Sequence, residues 1–167
     1  MSIIQCGRFR LDLSRPRVMA IINLTDDSFS GDGLQGDVSA ALRSAEQALG
    51  QGADMLDIGA ESSRPGAEPV PEEQELERVL RFIEQARGWN VPLSVDTMKP
   101  AVMRAALAAG ADMINDINAF RAPGAIEAVA GSRAGLCVMH MQGEPRTLQH
   151  DPRYDDVVEE VRRFLGQ

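Results

Sequence analysis

At five places along the chain an apolar run ends abruptly in residues capable of chemistry. "VMAIIN" ends at Asn23 and opens into "LTDDSFSGDG". "DMLDIGA" carries Asp57 and leads to "ESSRPGAEP", "VPLSVDT" ends in Asp96 and Thr97, "DMINDIN" offers Asn115 and Asp116, and "GLCVMHMQGEP" offers His140 and Gln142. These are carboxylates, amides, hydroxyls and a guanidinium, with no Ser-His-Asp or Cys-His set. Asn23, Asp26, Asp27 and Asp32 are hard oxygen ligands of the kind magnesium accepts. Arg64, beside hydroxyls and a glycine, suits an oxyanion. Each has a plainer reading. Asp96 could cap the following helix, and Asn115 could satisfy backbone groups at a strand end. His140, with only His150 as a second histidine, is more often structural than catalytic. Met55, Met113, Met139 and Met141 read as core filler, with Met139 able to line a pocket.

The elements that would position these groups alternate between strand and helix. Val18 to Ile22 is apolar without alternation, as in a strand covered on both faces. Asn23 and the Asp, Ser and Gly residues after it cannot continue that strand. "IIQCGRFRLDLSRP" reads as a hairpin about Gly7 that could plug one end of a larger sheet. Residues 38–49 form a helical stripe with Asp37 as N-cap and Gly50 or Gly52 as the stop. A second helix opens at Pro71 and places Leu76, Val79, Leu80 and Ile83 on one face until Gly88. A third opens at Pro100 and stops at Gly110, a short fourth surrounds "GAIEAVAG", and the last places Val157, Val158, Val161, Phe164 and Leu165 together.

"ALGQGADMLD" at Ala48 and "ALAAGADMIN" at Ala106 repeat at an offset of 58 residues, as do "RPGA" at Arg64 and "APGA" at Ala122. Five strands each followed by a helix favour an all-parallel sheet with right-handed crossovers. Either a (β/α)8 barrel or an open doubly wound sheet can grow from this. A barrel needs about 250 residues, so the expectation is a single α/β domain over 1–167 that supplies about five βα units. In both folds the reacting groups sit at the carboxyl ends of the strands.

With 167 residues, 44% of them hydrophobic, the chain can bury one core. Its net charge of -8 argues against nonspecific binding to nucleic acid or an anionic membrane. "MSIIQCGRFR" lacks the order of a secretory signal and no long uncharged apolar run occurs, so a cytoplasmic location is expected. Cys6 and Cys137 have no ligand-like spacing and read as reduced, mostly buried thiols.

At the five strand ends the sequence resembles the dihydropteroate synthase family of pterin-binding (β/α)8 barrels. The matching stretches are "NLTDDSFS", "GAESSRPGA", "SVDTMKP", "INDI" and "MHMQGEP", in the family's order from about Val18 onward. The resemblance implies that Asp96 and Asn115 hydrogen-bond a pterin ring, with Ile117 and Met139 packing against it. It implies a magnesium side formed by Asn23 and Asp27, diphosphate contacts from Ser63 and Arg64, and a p-aminobenzoate subsite that includes Phe29 and Pro65. Asp27, Arg64 and Asp96 would be the catalytic members. The implied reaction joins p-aminobenzoate to 6-hydroxymethyl-7,8-dihydropterin diphosphate, releasing diphosphate and giving 7,8-dihydropteroate for folate synthesis, with sulfonamides as competitors. Such a site needs preorganised charge more than a strong base.

Some residues depart from the family pattern. Asp26 stands where the family has proline, Ser63 where it has threonine, and Asp32 is displaced by one position within Gly31-Asp32-Gly33. The family's later Asp-Pro-Gly, lysine and Ser-x-Arg motifs are not in these 167 residues. The expectation is that this piece alone is inactive, and that the longer enzyme is a homodimer through late helices. Two alternatives remain: a methyltetrahydrofolate-binding barrel of a corrinoid methyltransferase, and a non-catalytic pterin-binding paralogue. The hydroxyl-rich "ESSRPGA" favours the synthase, since methyl transfer has no diphosphate to hold.

Overall fold

The computed structural model describes residues 2–24, 34–61, 69–144 and 151–166. Strands β1 (Ile3–Cys6) and β2 (Phe9–Asp12) form an antiparallel hairpin. After it come β3 (Met19–Asn23), α1 (Leu34–Gly50), β4 (Met55–Gly59), α2 (Glu72–Ala86), β5 (Leu93–Asp96) and α3 (Pro100–Ala109). The remaining elements are β6 (Met113–Asp116), α4 (Ala125–Val129), β7 (Gly135–Val138) and α5 (Val157–Leu165). Strands β3 to β7 lie side by side in chain order, every pair parallel. That sequential order is the barrel arrangement; a doubly wound sheet reverses direction partway across.

Strand alternation divides the residues between two faces. Ile22, Leu56, Ile58, Leu93, Val95 and Ile114 share one core with Val79, Phe82 and Ile83 of α2 and Val102, Met103 and Ala106 of α3. The other, concave face begins with Met55 and Met113, which cluster with Cys6 of the hairpin and with Ile4, Leu11 and Cys137. The hairpin therefore plugs the amino ends of the strands, as its sequence suggests. Hydrogen bonds from its turn hold it there. Gly7 N–H donates to Arg133 O at 2.9 Å, and Arg8 forks onto Asp112 at 3.1 and 3.0 Å. Gly7 is at φ +52, and a Cβ there would meet Asp112 Cα at 2.7 Å, so both backbone conformation and space call for glycine.

Three expectations are corrected. The first helix begins at Leu34, a turn earlier than the apolar stripe indicates, so Asp37 lies within it and does not cap it. The run Val18 to Ile22 is covered on one face only: Ile22 is buried, whereas Met19 and Ile21 (69% exposed), on the opposite face of the strand, are exposed. The reason is that β3 is an edge of the described sheet, with β4 as its one strand partner. The apolar face of α5 is not a buried one either. Val157, Val158 and Leu165 are exposed and no residue of the helix is buried. The methionines at Met55, Met113 and Met141 are buried, as expected of core filler. Among the described residues no helix is long and apolar enough to cross a membrane.

Candidate functional site

Parallel register places Asn23 opposite Gly59, Gly59 opposite Asp96, Asp96 opposite Asn115, and Asn115 opposite Cys137. Cross-strand partners share a face, so Asn23, Asp96 and Asn115 form one polar row on the concave side at the carboxyl ends of their strands. Asn23 is exposed, and Asp96 and Asn115 are half-buried. Ile117 and Met139, two residues beyond this row at the ends of β6 and β7, are also half-buried. Asp27, Phe29, Ser63, Arg64 and Pro65, with Asp26, Asp32 and His150, lie outside the described residues.

The plainer readings of Asp96 and Asn115 do not hold. The N-cap position of α3 is Lys99, with no side-chain cap; Pro100 at the first helical position lacks the N–H that a cap would serve. Asn115 Nδ2 donates to Asp57 Oδ2 at 3.0 Å, a side-chain partner and not a backbone one. Asp57 is 4% exposed. Its other oxygen, Oδ1, and the neighbouring Ser94 Oγ are buried without a hydrogen bond among the described residues.

A cluster of carboxylates surrounds the row. Burial, followed by the charges of Asp57, Asp116, Glu75 and Glu61, pushes the Asp96 carboxyl up to about 7. Asp116 faces the other way. It accepts from the N–H groups of Asn118 and Phe120, each at 2.7 Å, and so holds the turn in which Ala119 and Phe120 adopt positive φ. Burial, then the charges of Asp57 and Asp96, raises the Cys137 thiol. Burial and the charge of Asp112 raise that of Cys6, and both cysteines are free.

His140 packs among aromatic rings. Its ring meets the edge of Phe164 at 4.8 Å and lies 5.7 Å from Tyr154, while Arg121 sits 5.4 Å over the Phe164 ring. This aromatic group attaches α5 to the end of β7. Gln142 pairs with both backbone groups of Arg153, joining the exit of β7 to the stretch before α5. A cleft of about 490 Å³ between α4, α5 and the end of β7, lined by Phe120, Ile126, Val138 and Phe164, contains none of the expected site residues.

Sequence reasoning missed the roles of four charged residues, Glu61, Glu75, Arg78 and Lys99, and left Asp57 without one. The buried stripe of α2 is Glu75, Arg78, Val79, Phe82, Ile83 and Ala86. It begins with two charges, which a search for apolar spacing passes over. Arg78 donates to Leu24 O at 3.2 Å, where the chain leaves β3. Glu75 and Glu61 both bind Lys99. The signal that could have found Asp57 is a carboxylate inside an otherwise apolar strand, at the position where the 58-residue repeat places Asn115.

A parallel βα sheet with an amide and a carboxyl aligned at its concave carboxyl end is the architecture of a barrel enzyme site. The chain belongs to the pterin binding enzyme family, whose pattern matches residues 19–167. It is 48% identical over 164 residues to dihydropteroate synthase of Neisseria meningitidis serogroup B, covering 96% of this chain and 58% of that enzyme. The Escherichia coli K12 dihydropteroate synthase is 47% identical over 156 residues, covering 93% of this chain and 55% of the enzyme. The crystal structure of Burkholderia cenocepacia dihydropteroate synthase complexed with 7,8-dihydropteroate superposes with a TM-score of 0.86 at 56% identity, covering 99% of this chain and 56% of that one. The Yersinia pestis dihydropteroate synthase in a sulfonamide drug complex gives 0.89 at 46% identity, covering 99% and 60%. The chain thus spans a little over half the length of the relatives it matches.

Proposed function

We propose that this chain forms the pterin-reading part of a dihydropteroate synthase, joining 6-hydroxymethyl-7,8-dihydropterin diphosphate to p-aminobenzoate. The observation that carries the reading is the row Asn23, Asp96, Asn115 on one concave face, in a chain whose solved relatives include one with bound dihydropteroate. Asn115, with one N–H committed to Asp57, keeps its second N–H and its carbonyl for a ligand. That adjacent donor and acceptor complement the ring-nitrogen edge of a pterin, and Asp96 supplies a carboxyl beside them. Ile117 and Met139 offer apolar contact to a flat ring.

In this reaction the bond from the pterin methylene to the diphosphate oxygen breaks, with its electron pair leaving on diphosphate. The arylamine nitrogen forms the new bond to the methylene and then loses a proton. Asp96 and Asn115 orient the ring so that it can spread positive charge developing on the methylene. Ser63 and Arg64 hold the departing diphosphate, and Phe29 and Pro65 border the arylamine.

Asn23 and Asp27 would hold magnesium. An exposed amide oxygen at the end of β3 suits a cation that keeps most of its ligands as water and phosphate and needs one or two protein oxygens. When bound, the ion neutralises charge on the diphosphate. Sulfonamides compete at the p-aminobenzoate side, in keeping with the Yersinia pestis drug complex.

Calorimetry with the dihydropterin diphosphate, with and without magnesium, tests the reading. Binding that strengthens with magnesium supports it. Binding of the pterin regardless of metal favours a methyltetrahydrofolate barrel or a non-catalytic pterin protein, and absence of binding contradicts all three.

A further inference from the structure

Thr97 follows Asp96 at the carboxyl end of β5. Asp96 faces the concave side, and the side chain of Thr97 turns to the helix side, where it is 4% exposed. Its Oγ1 accepts from the Lys99 N–H at 3.2 Å, an ordinary hydroxyl turn for a residue that ends a strand. The same hydroxyl donates to Glu75 Oε1 at 2.5 Å, and that bond is not local. Glu75 lies in the first turn of α2, is 1% exposed, and has its other oxygen taken by the Lys99 ammonium. A carboxylate paired with a cation in the core is a fixed acceptor, and a hydrogen bond to it is stronger than one between neutral groups.

The backbone of Thr97 reaches the other way. Its N–H donates to the Asn115 carbonyl at 3.0 Å, so the peptide that joins Asp96 to Thr97 is bonded to Asn115 itself. The Asp96 carboxyl has no comparable support. The charges of Asp57, Asp116, Glu75 and Glu61 surround it, and no described residue donates a hydrogen bond to it. On its other flank Gly59 has no side chain to brace it; a Cβ there would stand in ordinary contact, 3.7 Å from Asp96 Cβ and 3.8 Å from Oδ2. The direction of the carboxyl therefore follows from the backbone that carries it, and Thr97 holds that backbone.

We infer that Thr97 is a positioning residue for pterin binding: tied to Glu75 through its hydroxyl and to Asn115 through its N–H, it fixes the backbone from which Asp96 meets the ring. This rests on the reading of function given above. A hydroxyl present only to satisfy buried Glu75 would add to stability and leave the affinity of the folded protein unchanged.

A double-mutant cycle read by calorimetry, with 6-hydroxymethylpterin as the probe, tests the role. Thr97→Val keeps the shape and removes the hydroxyl, and under conditions where it is folded it is expected to weaken the probe about tenfold. Thr97→Ser, which keeps the hydroxyl, should stay within about twofold of the unsubstituted protein. In an Asp96→Ala background the Thr97→Val change should cost no more than about twofold, because the group it places is gone. If Thr97→Val does not fold, Thr97→Ala removes the hydroxyl without setting a second methyl against Glu75 and carries the same expectations. Unchanged affinity without the hydroxyl, an equal loss in Thr97→Ser, or a loss that persists in full in the Asp96→Ala background overturns the role of Thr97. Failure of the unsubstituted protein to bind the probe overturns the functional reading itself, which separates the two.

Discussion

Asn115 donates its carboxamide N–H to Asp57 across the intervening strand at 3.0 Å, and the two residues stand at equivalent positions of the 58-residue repeat. They lie on β4 and β6, alternate strands of the sheet. Alternate strands contribute the side chains of one layer in a barrel interior, so this hydrogen bond is a layer contact expected of barrel geometry. It also fixes the amide. A carboxylate only accepts, so Nδ2 must face Asp57 and the carbonyl must face elsewhere.

Replacing Asp57 should therefore reduce ligand binding without touching the ligand. Asp57→Leu is expected to lower dihydropterin affinity by about 1–3 kcal/mol, the cost of leaving a polar group unpaired, and Asp57→Asn should recover part of it through its remaining acceptor. Calorimetry gives the affinities; an unchanged value for Asp57→Leu would mean that Asp57 does not set the amide.

Asp96 gives the protein a pH-dependent weakness. Its carboxyl, raised by burial and by neighbouring carboxylates to about 7, binds a proton more tightly in the folded than in the unfolded chain. Such a group contributes stability that is full below the unfolded value of about 3.9 and is lost as pH rises through the folded value. Urea denaturation of Asp96→Asn should show a gain over the unsubstituted protein that grows from about pH 4 to pH 7 and then levels. Parallel profiles for the two proteins would refute the assignment.

The same titration bears on ligand binding. A ring N–H pairs better with the ionised carboxylate, so dihydropterin binding at pH 6 should release a proton and tighten as pH rises through about 7. Calorimetry in two buffers of different ionisation enthalpy measures that proton directly, and binding without proton release would show that Asp96 stays neutral in the complex.

At the opposite end of the sheet, Asp112 is 1% exposed and accepts from the Arg8 side chain, the Arg8 N–H and the Leu93 N–H. Asp112→Ala leaves two backbone donors without their acceptor and should cost about 3 kcal/mol in urea denaturation. Because the plug lies at the amino ends of the strands, dihydropterin affinity should be unchanged under conditions where the variant is folded. A selective loss of affinity would tie the plug to the site.

His140→Ala separates a structural histidine from a catalytic one. Loss of the ring contacts with Phe164 and Tyr154 should cost about 1 kcal/mol of stability, with pterin affinity little altered. A large fall in pterin affinity with intact folding would return His140 to the site.

The periodic parts of this fold are legible in the sequence for a physical reason. Strands buried on their helix-facing side need Leu56, Ile58, Val95 and Ile114, and the turns between them need Gly110 or Pro100, so composition and spacing reveal them directly. The same logic brings out Asp96 and Asn115, because polar groups that end apolar strands of a parallel sheet have one place to go. What spacing could not reveal is a charge that is buried because it is paired. Glu75 and Arg78 occupy core positions of α2 but read as solvent-facing until their partners, Lys99 and the Leu24 carbonyl, are known. Coverage is equally hidden: Ile21 and the apolar face of α5 have core-like sequence, yet exposure depends on what lies opposite, a long-range property.

The central claim is that a flat heterocycle binds against Asp96 and Asn115 at the carboxyl ends of β5 and β6. A crystal structure with 6-hydroxymethylpterin bound tests it most directly. The expected result is ring nitrogens within hydrogen-bonding distance of both side chains, with Asn115 still bonded to Asp57. A ring seated in the cleft between α4 and α5, with Asp96 and Asn115 free of ligand, would contradict it.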